Sequence, residues 1–339
     1  MRFSQLAVPG AALAVCAVLA ALAAPPATAG APPAAPGVRT VPLAGVDGLT
    51  ARSTEPFSLL GVSWDDPSRA PGTVEVRTRS LTTGRWSDWR ALTADSEDRP
   101  DAAGSRGSTA PLWVGASDGV AVRVTGGART AGLRAELVDP GRGPARRAAG
   151  GDGIVSRAQW GADESLREPE PGYTGPVRVV FVHHTDTGND YSCSDAPSLI
   201  RAIYQYHVKT NGWRDIGYNF LVDRCGTVYE GRAGGIDKPV LGAHTLGFNT
   251  DSAGIAALGT YVSTPAPQAQ TDAIARTAAW KLSLAGHTPA ETATLTSASD
   301  GSRYKKGTQA TFDAISGHRD AFNTECPGDA LYAALPSMR

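Results

Sequence analysis

The chain has 339 residues, 32 lysines and arginines against 33 aspartates and glutamates, and 41% hydrophobic residues. Neither half carries the basic stripe that nucleic acid or an anionic membrane surface would require, which sets those partners aside. Beyond the first 30 residues no stretch is apolar and long enough to cross a bilayer, so no stable membrane anchor is expected.

The chain opens MRFSQLAVPGAALAVCAVLAALAAPPATAGAPPAAP. Arg2 precedes a long Ala/Leu/Val run, and Ala27-Thr28-Ala29 offers a small-residue cleavage site before Gly30. That pattern predicts a secretory signal peptide over residues 1–29, with an uncleaved anchor as the competing reading. Cys16 lies in the apolar run. Val15 stands where a lipoprotein signal would need a small residue, so Cys16 is expected to leave with the leader. About 310 residues then remain, enough for two domains and destined for the cell wall or the medium.

Residues 30–140 predict a small all-β, sandwich-like domain. FSLLGVSW (Phe57 to Trp64), TVEVRTRS (Thr73 to Ser80), PLWVGA (Pro111 to Ala116) and VAVRVTG (Val120 to Gly126) have strand composition and partial period-two alternation. Trp86 and Trp89 could stack on sugar rings or fill the core, and large aromatics are mostly buried. Residues 141–153, rich in Gly, Pro and Arg, read as a linker. From 154 to 339 strands alternate with helices, which predicts an α/β domain. RVVFVHH (Arg178 to His184) is a buried-strand run. Residues 194–212 form an amphipathic helix with Ser194 or Asp195 at its start and Asn211-Gly212 at its end. YNFLVDRCGTVYEGR reads as two strands joined at Cys225-Gly226, and GIAALGTY as another strand. Further helices are expected over residues 267–285 and after Pro327, with a turn-rich insertion over Thr292 to Phe312.

Without Cys16 three cysteines remain, Cys193, Cys225 and Cys326, an odd number for an exported chain. The leftover thiol is reactive, intermolecular, or held by a metal. Histidine is scarce, at six. His183 and His184 end an apolar strand, and His318 sits eight residues before Cys326. Neutral imidazoles and a thiolate suit Zn²⁺, and three protein ligands with one open position describe a catalytic site. On spacing alone, two ordinary histidines and a buried cysteine explain the pattern equally well.

WGADES (Trp160 to Ser165), FVHHTDT (Phe181 to Thr187), GWRDIGYNFLVDRCGTVYEGR (Gly212 to Arg232), LGAHTLGFN (Leu241 to Asn249) and SGHRDAFNTECPG (Ser316 to Gly328) occur in that order. Together they resemble the zinc N-acetylmuramoyl-L-alanine amidases related to peptidoglycan recognition proteins and to a phage lysozyme, in a secreted bacterial form of actinobacterial type. The resemblance spans about residues 154–336. It implies a mixed central sheet flanked by helices, with Zn²⁺ in a surface cleft held by His183, His318 and Cys326. It implies that Tyr218 and Thr324 act in catalysis, and it places His244, and more weakly Asn249, beside the substrate. In a regular strand His184 faces away from His183, His207 falls on the apolar face of a helix and His287 lies in a turn, so these three read as structural, and Asp320 could orient a ligand or cap a turn.

With Cys326 taken by the metal, Cys193 and Cys225 are expected to form a disulfide; animal relatives usually place a shorter-range one near the helix start, so this pairing rests on the leftover count and the exported location. The resemblance thus implies a monomeric, secreted peptidoglycan hydrolase. A non-catalytic peptidoglycan-binding module, a zinc endopeptidase acting on the stem peptide and a regulator that traps a partner protein are its rivals.

Overall fold

The computed structural model describes residues 1, 4, 35–43, 48–94, 98–101, 104–127, 130–143 and 153–339. The expected leader, apart from residues 1 and 4, and residues 144–152 of the expected linker lie outside them. Among the described residues no helix is long and apolar enough to cross a membrane.

The N-terminal strands are β1 (Gly37–Pro42), β2 (Gly48–Trp64), β3 (Thr73–Ser80), β4 (Arg90–Leu92), β5 (Gly107–Ser108), β6 (Leu112–Thr125) and β7 (Arg134–Asp139). In β3, Val74, Val76 and Thr78 are buried while the residues between them are not, the period-two pattern that makes TVEVRTRS a half-buried strand. The strands form one antiparallel sheet, ordered β1-β7-β2-β6-β3-β4 with β5 on β2. This corrects the expected sandwich. The 17-residue β2 shifts register three times between Leu49 and Leu59, and bulges of that kind bend a strand. One sheet therefore curls upon itself: Val41 of β1 and Leu92 of β4 pack against the same core, which holds Phe57, Val62, Trp64 and Leu137. The two strands expected over 111–116 and 120–126 are a single strand, β6.

The C-terminal domain carries β8 (Ile154–Val155), α1 (Arg157–Trp160), β9 (Val179–His184), α2 (Ala196–Gln205), β10 (Phe220–Val222), β11 (Val228–Glu230), β12 (Ser252–Ala257), α3 (Gln268–Ser283), β13 (Thr292–Thr296), β14 (Gln309–Asp313), β15 (Ile315–Gly317), α4 (His318–Ala321) and α5 (Asp329–Tyr332). The helix expected over 194–212 starts after Asp195 and passes into a π turn at Tyr206–Thr210, and Gly212 (φ 74°) takes the left-handed conformation beyond it. The turn-rich insertion is an antiparallel hairpin, β13 with β14. Its alternation of threonines with Ala293, Leu295, Ala310 and Phe312 is a strand signal.

A mixed sheet ordered β15-β9-β12-β10-β11-β8 forms the centre. Strand β9 is buried along its whole length and pairs in parallel with β12 and β15. That double cover explains why RVVFVHH is continuously apolar up to its histidines. Helix α3 packs Ile274, Ala278 and Leu282 on one face with Val180, Val182, Phe220 and Ile255. On the other face Leu199, Ile200 and Ile203 of α2 meet Leu221 and Ala256.

The same α2 face extends into the N-terminal domain. Leu59, Trp113 and Val138 share a core with Trp160, Leu199, Ile203 and Tyr206. The Tyr206 hydroxyl donates to Thr109 O at 3.1 Å, and Arg201 donates to Pro140 O at 3.2 Å and to Trp160 O at 2.7 Å. Gly61 lies so close to Tyr206 that a Cβ there would sit 2.2 Å from the phenol oxygen. The β domain is thus packed directly onto the α/β domain by a shared apolar core.

Candidate metal centre

His183 is the penultimate residue of β9. Strand β15 pairs with β9 through Ile315–Val180 and Gly317–Val182. One further residue in each chain brings His318, the first residue of α4, beside His183, with ring centroids 4.6 Å apart. The chain then turns back: Arg319 N donates to Cys326 O at 3.0 Å, and Cys326 N donates to Thr324 Oγ1 at 3.1 Å. That return sets Cys326 Sγ 3.7 Å from His183 Nδ1. One ligand atom each from His183, His318 and Cys326 lies within 4.8 Å of the others, and all three residues are buried.

The donor set fits zinc. Burial holds both imidazoles far below their ordinary pKa, to about 3 for His183 and about 3 for His318, so each presents the neutral ring a metal requires. Both nitrogens of His318 are buried without a hydrogen-bond partner among the described residues, so the nitrogen that carries the lone pair is uncommitted and available to a cation. Cys326 stands outside the disulfide, which joins Cys193 to Cys225 across a separation of 32 residues.

His244 packs against His183, with ring centroids 5.2 Å apart. It is fully buried, with its Nδ1 3.3 Å from His183 Nε2 and 3.0 Å from Thr245 Oγ1. If His183 uses Nδ1 toward a metal, its Nε2–H donates to His244 Nδ1, which fixes the ring's tautomer and tilt. Asn249 holds this arrangement, its Oδ1 accepting the backbone N–H groups of His244 at 2.8 Å and Thr245 at 3.0 Å. Asn249 also lines a cavity, whereas His244 has no exposure to either side.

Tyr218 stands just before β10, buried, with its ring 5.4 Å from that of His183. Thr324 is half-buried and borders the cleft beside Cys326. His184 Nδ1 accepts Tyr261 N at 3.2 Å, and the residue also borders the cleft that His318, Thr324 and Cys326 line. His207 accepts Gly217 N at 3.1 Å and stacks on Trp213, and His287 pairs with Glu291 near the surface. Asp320 caps α4 by accepting Gly317 N at 2.8 Å, and its other oxygen accepts the Tyr332 hydroxyl at 2.6 Å. Trp86 and Trp89 are half-buried, with the Arg77 guanidinium over both rings and Arg123 over Trp89.

One site residue has no counterpart in the sequence reading. Asp98, from the connection between β4 and β5, is buried with its Oδ1 3.2 Å from His183 Nδ1 and 3.1 Å from His318 Nδ1. Its Oδ2 accepts the Tyr218 hydroxyl at 2.5 Å. Burial raises its carboxyl above the usual range, while His318 pulls it back down. In sequence it is one of four carboxylates within ADSEDRPD, a composition indistinguishable from an exposed acidic loop.

Residues 19–148 match the family described as Rv3811 N-terminal galactose-binding domain-like, and residues 173–329 match the family N-acetylmuramoyl-L-alanine amidase. The chain is 38% identical over 109 residues to peptidoglycan-recognition protein LE of Drosophila melanogaster, covering 32% of this chain and 30% of that protein. It is 33% identical over 185 residues to the N-acetylmuramoyl-L-alanine amidase of Homo sapiens, covering 54% of this chain and 27% of that one. It therefore spans less than a third of the length of either relative. With peptidoglycan recognition protein 1 of Bos indicus the identity is 34% over 188 residues, covering 54% of this chain and 82% of the relative. The protein joins a galactose-binding-like N-terminal domain to a C-terminal domain through which it belongs to the peptidoglycan recognition protein and N-acetylmuramoyl-L-alanine amidase family.

Proposed function

We propose that this chain is a secreted zinc amidase that hydrolyses the bond between N-acetylmuramic acid and the L-alanine of the peptidoglycan stem. The observation that carries the reading is the complete, buried His183/His318/Cys326 set with Tyr218 beside it. A module that only binds wall fragments has no use for such a set. Zinc held there supplies a Lewis acid for the scissile carbonyl and a water whose pKa is brought toward neutrality.

The chain's own residues do the rest. His244 and Asn249 keep the His183 ring in one tautomer. Tyr218 carries the hydroxyl that can donate to the oxygen on which charge develops, a contact worth about 2.7–4 kcal/mol. Thr324, whose Oγ1 accepts from Cys326 N, keeps its hydroxyl hydrogen for a partner in the cleft. The signal-like first 29 residues support export, and the exposed wall polymer is then the substrate within reach.

Exchange of His318→Ala or Cys326→Ser tests the reading. Each variant is expected to lose both stoichiometric zinc and hydrolysis of purified peptidoglycan. Hydrolysis that persists in metal-free variants would assign the activity to another site.

A further inference from the structure

The cavity beside the metal cluster is shared by the two domains. It holds about 260 Å³, and His318, Thr324 and Cys326 lie on its α/β side. The opposite wall belongs to the β domain, which contributes the whole of β4, the two residues after it, and Ala110 and Leu112. Ligand sites form preferentially at domain interfaces of this kind.

Backbone hydrogen bonds hold that wall in place. Ala110 N donates to Thr93 O at 2.8 Å, which lays the segment after β4 against the approach to β6. One residue past Leu112, Trp113 N donates to Thr187 O at 3.0 Å. Thr187 stands between Asp186 and Gly188, which line the same cavity from the α/β side. With the Tyr206 hydroxyl on Thr109 O, the wall is tied to the α/β domain at both of these points.

The wall carries one cation. Arg90 is half-buried, and its side chain has no hydrogen bond or ion pair among the described residues. Asp98, Asp186 and Glu325 also line the cavity, but none of them pairs with it; Asp98 is engaged by the Tyr218 hydroxyl and stands beside His183 and His318. A guanidinium at a cavity boundary without a counter-ion offers a planar donor fork that matches a carboxylate. The saccharide side of the muramoyl–alanine amide carries hydroxyl and acetamido groups and no charge, whereas the stem peptide ends in a carboxylate.

We propose that the β domain is part of the substrate site: its wall seats the stem peptide, and Arg90 is a specificity-determining residue that binds a free carboxylate of that peptide. The proposal takes its substrate from the amidase reading. The β domain then selects substrate at the cleft itself.

The test follows hydrolysis of two muropeptides, one with free stem carboxylates and one with the same groups as primary amides, by the zinc-loaded full chain and its Arg90→Gln and Ala91→Trp variants. Wild type should show a KM about tenfold lower for the carboxylate form, the size of one charge-assisted hydrogen-bonded contact at a half-open site. Arg90→Gln should lose that preference, through KM more than through kcat. Ala91 is exposed and lines the cavity, so Ala91→Trp fills it and should raise KM for both forms. Calorimetric binding of the free stem peptide to the same zinc-loaded proteins reads the contact without cleavage. Equal KM values for the two forms in wild type, or a preference that Arg90→Gln keeps, would overturn the assignment of Arg90. Wild-type KM in Ala91→Trp would overturn the wall. Weaker stem binding by both variants of a protein that cleaves nothing would uphold the wall and refute the amidase reading instead.

Discussion

Replacing both Cys193 and Cys225 with serine should separate the structural cysteines from the functional one. The disulfide closes a separation of 32 residues, from the start of α2 to the turn between β10 and β11. In the chain-entropy model, closing a loop of that length removes about 12 cal/mol/K from the unfolded chain, or roughly 3.7 kcal/mol at 25 °C. The native turn has its own support. Asp223 Oδ1 accepts Cys225 N and Thr227 N, each at 2.9 Å, and its Oδ2 accepts the Tyr229 hydroxyl at 2.9 Å. The folded geometry is therefore expected to survive, and the loss to fall on the unfolded side. Urea unfolding of the double variant should show stability lower by about 3–4 kcal/mol, with zinc stoichiometry unchanged. Cys326→Ser should do the reverse, losing zinc. An unaltered midpoint for the double variant, or loss of zinc from it, would refute this division of labour.

Tyr218→Phe should lower the rate of hydrolysis about 10²–10³-fold while leaving zinc content at wild-type level. A variant that retained the wild-type rate would remove Tyr218 from the reaction. His244→Ala should weaken zinc binding about 10–100-fold by freeing the His183 ring, read by competition with a chromogenic chelator. Unchanged affinity would leave His244 as core only. His207, held neutral by burial with its pKa pushed down to about 3 from 6.5, stabilises the fold above pH 6.5 and loses that contribution as pH falls toward 3. Below pH 6.5 the unfolded chain binds the extra proton, so stability must fall with acid, and His207→Asn should flatten the slope by up to one proton; an identical slope would assign the acid sensitivity elsewhere.

The cluster of His183, His318 and Cys326 was legible in the sequence because each sits at a position whose local pattern is strong. His183 ends a run buried on both faces, and His318 and Cys326 bracket a short turn whose residue order is distinctive. The disulfide followed from the odd count of cysteines. The burial of His244 was not legible, because LGAHTLGFN tells that a histidine is present but not which way the loop folds; in the structure the Asn249 side chain gathers two backbone N–H groups of that loop. The curled single sheet escaped because bulges in β2 leave no mark that separates them from ordinary strand ends. Asp98 escaped for a stronger reason. Its place beside His183 and His318 depends on contacts across 85 and 220 residues of chain and on a domain packing that no local pattern encodes.

The most direct test of the central claim is a digest of purified peptidoglycan by the zinc-loaded protein, with and without a chelator, with new amino termini identified by mass spectrometry. The account predicts a newly freed L-alanine amine that disappears with chelator and returns on adding zinc. A different new terminus would make the protein a peptidase, and no new terminus would contradict the amidase assignment.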